Sequence, residues 1–168
     1  MSSARFRGAA RPTAPASGES ARLAAVSLLA RRDYLSGELT ERLKRQGFDA
    51  AAAAGAVADL LRDAVLDDAR CAENYVAYHA GRGHGPVRIA AELRRRGLAD
   101  ELIAAALQSG PDWKALARKV CRAKFGAQPA ATWAQRARQA RFLQYRGFSS
   151  DHIRAATGAD PDTGSTDL

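Results

Sequence analysis

A six-residue pattern that occurs three times at a fixed interval constrains the fold more than any other feature of this chain. It reads Leu43-Lys44-Arg45-Gln46-Gly47-Phe48, then Leu93-Arg94-Arg95-Arg96-Gly97-Leu98, then Leu143-Gln144-Tyr145-Arg146-Gly147-Phe148, with successive glycines 50 residues apart. A glycine just past a helix can take the left-handed conformation without a Cβ penalty. In such a helix stop, the residue after the glycine packs back on the residue four before it. Here those pairs are Phe48 with Leu43, Leu98 with Leu93, and Phe148 with Leu143. Three copies at one interval are the mark of tandem structural units. The apolar register also continues past the motif: Ala53 and Val57 recur as Ile103 and Leu107, and Ile153 stands one interval beyond Ile103.

The composition is rich in alanine and arginine and poor in β-branched residues, which favours helix over strand. The periodicity predicts an all-α chain of tandem three-helix repeats, about nine helices in all, over 20–65, 66–110 and 111–158. In the first repeat, Leu23, Val26 and Ala30 form one stripe. A second helix runs from about Ser36 to Gln46 with Leu39 and Leu43 inward, and Asp49 caps a third that buries Ala53, Val57, Leu60 and Leu61. The second repeat opens at Asp67-Asp68 with a stripe of Cys71, Tyr75 and Tyr78. Gly81, Gly83 and Gly85 break that helix, and Pro86 starts the next, which carries Ile89 and Leu93 inward. In the third repeat, Trp113, Leu116 and Val120 form the first stripe. A longer connection, Gly126 to Pro129, precedes helices from about Thr132 to Arg146 and from about Ser149 to Thr157, where Gly158 stops the chain's last helix. Residues 1–19 read as a disordered tail and 159–168 as an acidic, polar one. Each repeat is too small to hold a secure core alone, so the units are expected to stack into an elongated, curved body.

No run approaches the ~20 apolar residues that a membrane-spanning helix needs. Arg5, Arg7 and Arg11 are followed by no apolar stretch, which argues against a secretory signal. Two cysteines do not make a disulfide framework, so the expected compartment is the cytoplasm.

The net charge of +8 is unevenly distributed. Residues 1–112 carry 16 basic and 14 acidic groups, whereas 113–150 carry nine basic groups and no acid. Residues 151–168 return one arginine against four aspartates. A one-signed block of this kind points to an acidic partner or a nucleic-acid backbone; the plainer alternative is solubility, though soluble surfaces usually mix both signs.

Little in the sequence suggests chemistry. Cys71 lies on an apolar stripe and Cys121 follows Val120, as structural thiols do. His79, His84 and His152 show no metal-ligand spacing. The run Gly81-Arg82-Gly83-His84-Gly85-Pro86 follows a helix rather than a strand and lacks a Gly-Lys-Ser/Thr ending, so it reads as a connection and not as a phosphate cradle. No convergent polar constellation supports an enzyme, and no cofactor or metal is expected. Binding is better supported. Arg88, Arg94 and Arg95 project from the second repeat. Lys114, Arg118, Lys119, Arg122, Lys124, Arg136, Arg138, Arg141 and Arg146 project from the third. Arginine predominates, and its planar fork suits carboxylate or phosphate. Arg96 has an i,i+4 acid in Glu92; Arg136, Arg138 and Arg141 have no comparable acid.

At this point the residues resemble a known family, the RecX regulators of bacterial recombination. The stretches that carry the resemblance are Ala30-Arg31-Arg32-Asp33-Tyr34 with Glu38-Leu39, Lys44-Arg45-Gln46-Gly47-Phe48, and Leu66-Asp67-Asp68-Ala69-Arg70. They continue through Gly85-Pro86 to Leu93-Arg94-Arg95-Arg96-Gly97-Leu98, and end with Arg141-Phe142-Leu143 and Arg146-Gly147-Phe148-Ser149. The resemblance covers about Ala21 to Gly158. It implies a non-enzymatic all-helical protein, expected as a monomer, that binds the RecA recombinase and RecA filaments on single-stranded DNA. Such a protein would lie in the filament groove and restrain recombinase, ATPase and coprotease activity. Two departures stand out: the family usually has serine where Leu35 stands, forming a cap with the glutamate at 38, and usually phenylalanine where Cys71 stands. The runner-up reading is a sequence-nonspecific nucleic-acid-binding helical module that contacts DNA directly; a scaffold for unrelated proteins is a weaker third.

Overall fold

A computed structural model describes residues 18–158; the expected tails, 1–19 and 159–168, lie outside the described residues except for Gly18 and Glu19, which open the first helix instead because Glu19 suits a helix's first turn. The described residues form nine α-helices and no strand: α1 Gly18–Leu29, α2 Ser36–Arg45, α3 Ala50–Arg62, α4 Asp68–Gly81, α5 Pro86–Arg95, α6 Asp100–Gln108, α7 Trp113–Phe125, α8 Trp133–Tyr145 and α9 Ser150–Thr157. They fall into two compact units. One holds α1, α3 and Leu39–Arg45 of α2; the other holds Asp33–Glu38 and the described residues from Asp67 onward.

All three copies of the repeated pattern close as Schellman motifs. Gly47, Gly97 and Gly147 have φ of 97°, 84° and 87°. Their N–H groups donate to Lys44, Arg94 and Gln144, and the N–H groups of Phe48, Leu98 and Phe148 reach back to the carbonyls of Leu43, Leu93 and Leu143 at 3.3, 3.2 and 3.1 Å. Orphan carbonyls at each helix end are thereby satisfied. The leucine of each pair is fully buried.

Two further helix ends use the same device. At the end of α4, Gly83 (φ 77°) donates to Ala80 and His84 donates to His79, so a histidine pair stands where the repeated motif places Leu and Phe. At the end of α3, Ala64 takes the left-handed position with φ 54°, donating to Leu61 while Val65 donates to Leu60.

In the first unit, α1 packs on α3. The buried face of α1 is Ala21, Ala25 and Leu28, while Leu23 is 67% and Val26 42% exposed. The stripe expected through Leu23, Val26 and Ala30 is thus out of phase. Alanines lack bulk, yet they let two helix axes approach closely, and this decides the buried face. On α3, Ala53, Ala56, Val57 and Leu60 are buried and Leu61 turns outward. Arg22 pairs with Asp63 at 2.9 Å.

The second unit has two cores. Around α4, α5 and α6 they comprise Leu35, Cys71, Ala72, Val76, Ile89, Leu93, Leu98, Ile103 and Ala106. Around α7, α8 and α9 they comprise Ala117, Cys121, Ala140, Leu143, Phe148 and Ile153. On α4 and α7 small residues again take the deepest positions, with Ala72 and Ala117 fully buried. Tyr78 is 60% exposed and leaves the expected α4 stripe to Ala72, Val76 and Ala80. On α7, the buried residues are Ala117 and Cys121, while Leu116 and Val120 are half-buried. Trp113 packs against the α4–α6 core instead, its indole N–H donating to Leu107 O at 3.1 Å.

The two trios of this unit meet backbone to backbone. Gly85 N–H donates to Arg146 O at 2.9 Å, and Val87 N–H donates to Gly147 O at 3.0 Å. A Cβ on Gly85 would overlap the carbonyl of Gly147, and one on Gly147 would overlap the backbone and Cβ of Arg88. Gly85, whose extended backbone any residue could adopt, is therefore required by proximity alone, and Gly147 by proximity as well as by its left-handed conformation.

The helix ends generate three predictions, each read as a shift in urea unfolding. Gly147→Ala should destabilise by about 2–4 kcal/mol, through left-handed strain plus overlap. Ala64→Gly should stabilise by about 0.5–1 kcal/mol by relieving the same strain; unchanged stability in both would refute the helix-stop account. Leu93→Ala, emptying a fully buried site, should cost about 2–5 kcal/mol. A fourth concerns pH. Burial holds His79 and His84 below the ordinary histidine value, with Arg88 adding to the effect at His84. Folding then favours the neutral rings. That stabilisation is present above the usual histidine pKa of about 6.5 and is lost as pH falls below it. The melting temperature should fall between about pH 7 and pH 5, and less so in a His79→Leu/His84→Phe variant, where His152, also held low by burial, remains.

Candidate nucleic-acid and filament interface

The basic residues of the second unit separate into those with internal partners and those without. Arg88 Nε donates to Glu92 at 3.0 Å and Arg94 Nε to Asp100 at 2.6 Å. Arg95 is exposed and makes no ion pair with a described residue. The Glu92–Arg96 helix pair expected from spacing does not form. Arg96 instead forks onto Glu38 with two 2.8 Å bonds and lies 4.8 Å over the Tyr75 ring. Glu92 accepts from Tyr75 Oη at 2.7 Å as well as from Arg88. The geometric reason is that Arg96 is the C-cap of α5, beyond the last full turn, where it reaches the start of α2 more readily than back along its own helix. Burial, with the bond to Glu92, pushes the Tyr75 hydroxyl up to about 12. The Tyr75 hydrogen bond, with Arg88, holds Glu92 below the usual carboxylate range.

The cap at the start of α2 is altered rather than lost. Glu38 accepts from Leu35 N–H at 3.4 Å, and the Asp68 carboxylate accepts from the N–H and the hydroxyl of Ser36 at 2.8 and 2.6 Å.

On α7, Lys114, Arg118, Lys119, Arg122 and Lys124 are all exposed. On α8, Arg138 and Arg141 are exposed and Arg136 half-buried, as is Arg146 at the helix's C-cap. None of these nine forms an ion pair with a described residue. Arg138 and Arg146 are fixed by aromatic contacts: Phe125 and Phe142 meet edge to face at 5.4 Å, Arg138 lies 5.7 Å from the first ring and Arg146 5.4 Å from the second.

Three of the expected residues converge. Lys119, Lys124 and Arg146 line one groove of about 370 Å³ between the end of α4 and the α7–α8 pair. A fourth cation, Arg82, joins them and was not singled out from sequence. It donates to Tyr78 Oη at 2.7 Å, and its carbonyl accepts from Arg146 at 3.3 Å. A signal for it existed. Arg82, Arg96 and Arg146 each directly precede a left-handed glycine, at a helix C-cap where the macrodipole favours a cation. The remaining expected residues, Arg88, Arg94, Arg95, Lys114, Arg118, Arg122, Arg136, Arg138 and Arg141, do not line this groove.

Burial raises both thiols, Cys71 and Cys121, which suppresses the reactive thiolate. His79 and His84, which show no metal-ligand spacing in the sequence, approach Nδ1 to Nδ1 at 3.1 Å with rings 5.3 Å apart. Among the described residues no group of three or more His, Cys, Asp or Glu side chains is placed to hold a metal ion, and no helix is long and apolar enough to cross a membrane.

Comparison with known proteins accords with this architecture. Residues 21–60, 67–107 and 112–157 match, in order, family models described as the first, second and third three-helix domains of RecX. Regulatory protein RecX of Halorhodospira halophila is 44% identical over 147 residues, covering 87% of this chain and 91% of that protein. Regulatory protein RecX of Stenotrophomonas maltophilia strain R551-3 is 45% identical over 139 residues, covering 82% and 85%. A crystal structure of regulatory protein RecX superposes with a TM-score of 0.68 at 22% identity, over 82% of this chain and 70% of that one; at that identity it supports the fold alone. With all three repeats matched in order and identity this high along nearly the whole of its relatives, the chain belongs to the RecX family.

Proposed function

We propose that this protein is a non-enzymatic negative modulator of the RecA recombinase. It binds RecA–single-stranded DNA filaments in their groove and restrains ATP hydrolysis, strand exchange and coprotease activity. In this role it acts in the cytoplasm as a monomer. The observation that carries the reading is the membership in a family whose relatives are named regulatory proteins, joined to a surface on α7 and α8 whose cations have no internal acid. Internally paired arginines hold the fold together. Unpaired ones of one sign remain available to a partner, and guanidinium groups suit carboxylate and phosphate alike.

A second reading, a nucleic-acid-binding module acting on bare DNA, is favoured by the same uncompensated charge. Against it, the large aromatic faces exposed among the described residues are Tyr78, Trp133 and Tyr145, few for a stacking platform.

Titrating the protein into a cognate RecA ATPase assay on single-stranded DNA separates the two. Filament modulation predicts inhibition below the concentration that coats the DNA; an unchanged rate at equimolar protein would sink it. Inhibition only at DNA saturation, with affinity falling by roughly 0.7 log units per log of salt for each phosphate neutralised, would favour the second reading. The triple change Arg136→Ala, Arg138→Ala and Arg141→Ala should weaken filament binding while leaving stability within about 0.5 kcal/mol per site. Wild-type filament affinity in that variant would place the binding face elsewhere.

A further inference from the structure

The cationic groove does not end at its four charges. It shares Ala80, Gly81 and Leu116 with a second, larger groove of about 650 Å³. The wall of that second groove is mainly Val76, Ala77, Ala80, Ala106, Pro111 and Leu116, with Asn74 and Ser109 as neutral polar groups and Glu73 as the one ionisable side chain in its lining. Together they make one trough along the joint between the α4–α6 and α7–α9 trios. One end is apolar with a single carboxylate. The other is ringed by Arg82, Lys119, Lys124 and Arg146 over a floor of Val120 and Phe142, with no acid in its lining.

This asymmetry discriminates between ligands. A nucleic-acid strand carries a phosphate at every nucleotide and needs cations along its whole track. Here the cations stop half-way and a carboxylate stands in the remainder. Nor is there a stacking face: Phe142 is half-buried, set edge to face with Phe125, and covered by Arg146. An apolar trough with charge at one end matches how protein segments are held, with apolar anchors in a dry groove and complementary charge fixing direction.

We propose that the trough docks a protein segment with apolar side chains at one end and clustered carboxylates at the other. The carboxylates are held by Arg82, Lys119, Lys124 and Arg146, and the apolar side chains lie between α4, α6 and the start of α7. The inference rests on the proposed function in one respect: the segment belongs to the protein component of the recombinase filament, not to its DNA.

The test uses the full chain and intact cognate RecA filaments on single-stranded DNA. Photoreactive p-benzoylphenylalanine is placed at Ala77 in the apolar end or at Ala123 in the cationic end, both exposed. Cross-linked products are read by mass spectrometry, and filament binding by co-sedimentation. Both positions should cross-link to RecA protein, Ala123 at an acidic stretch and Ala77 at an adjoining apolar one. Lys119→Glu/Lys124→Glu should weaken co-sedimentation at least tenfold. The matched change Arg45→Glu/Arg70→Glu, outside the trough, should weaken it less than threefold. Binding with cross-links to DNA alone, or with none, would overturn the trough while leaving the filament reading intact, as would equal losses in the two charge-reversed variants. Absence of any co-sedimentation by the wild-type chain would remove both.

Discussion

The helix stop with a left-handed glycine is the constraint on which the second unit depends. It ends α5 and α8 at fixed points, and it turns Leu98 and Phe148 back into the cores that Leu93 and Leu143 start. At Gly147 the same turn presents a carbonyl with no side chain in the way, and Gly85 and Val87 approach it closely. One backbone conformation therefore does three things: it terminates a helix, supplies core, and exposes the main chain that joins one trio to the next.

The ionic arrangement follows from these ends. An arginine at a C-cap stands beyond its own helix, so its guanidinium reaches across to a neighbouring element. Arg96 reaches Glu38, and Arg146 reaches the Arg82 carbonyl. Where an acid waits, the cation becomes structural; where none does, as around Arg82 and Arg146, it contributes to a positive groove. Spacing along one helix does not reveal this division, because the deciding partners are 58 and 64 residues away.

The class of fold and the helix boundaries were legible in the sequence because the glycine stops and N-caps are local. Asp49, Asp67, Thr132 and Ser149 cap the helices that follow them as their side chains suggest. The buried faces of α1, α4 and α7 were less legible. Hydrophobicity alone points to Leu23, Tyr78 and Val120, whereas close packing selects Ala21, Ala72 and Ala117. The groove was legible only in part, since Lys119, Lys124 and Arg146 were marked by the acid-free run of sequence but Arg82 sits in a mixed-charge neighbourhood. Leu35 and Cys71 fall in one core with Leu93 and Ile103.

The joint at Gly85 and Gly147 has a consequence for how such a chain can vary. Exposed side chains elsewhere in the trios take no part in the two main-chain hydrogen bonds of the joint, so their exchange leaves those bonds in place. Freedom of substitution and constancy of form are thus assigned to different atoms. The grooves lining the joint can change their charge and apolar character, and so their choice of partner, while the frame that presents them keeps its geometry.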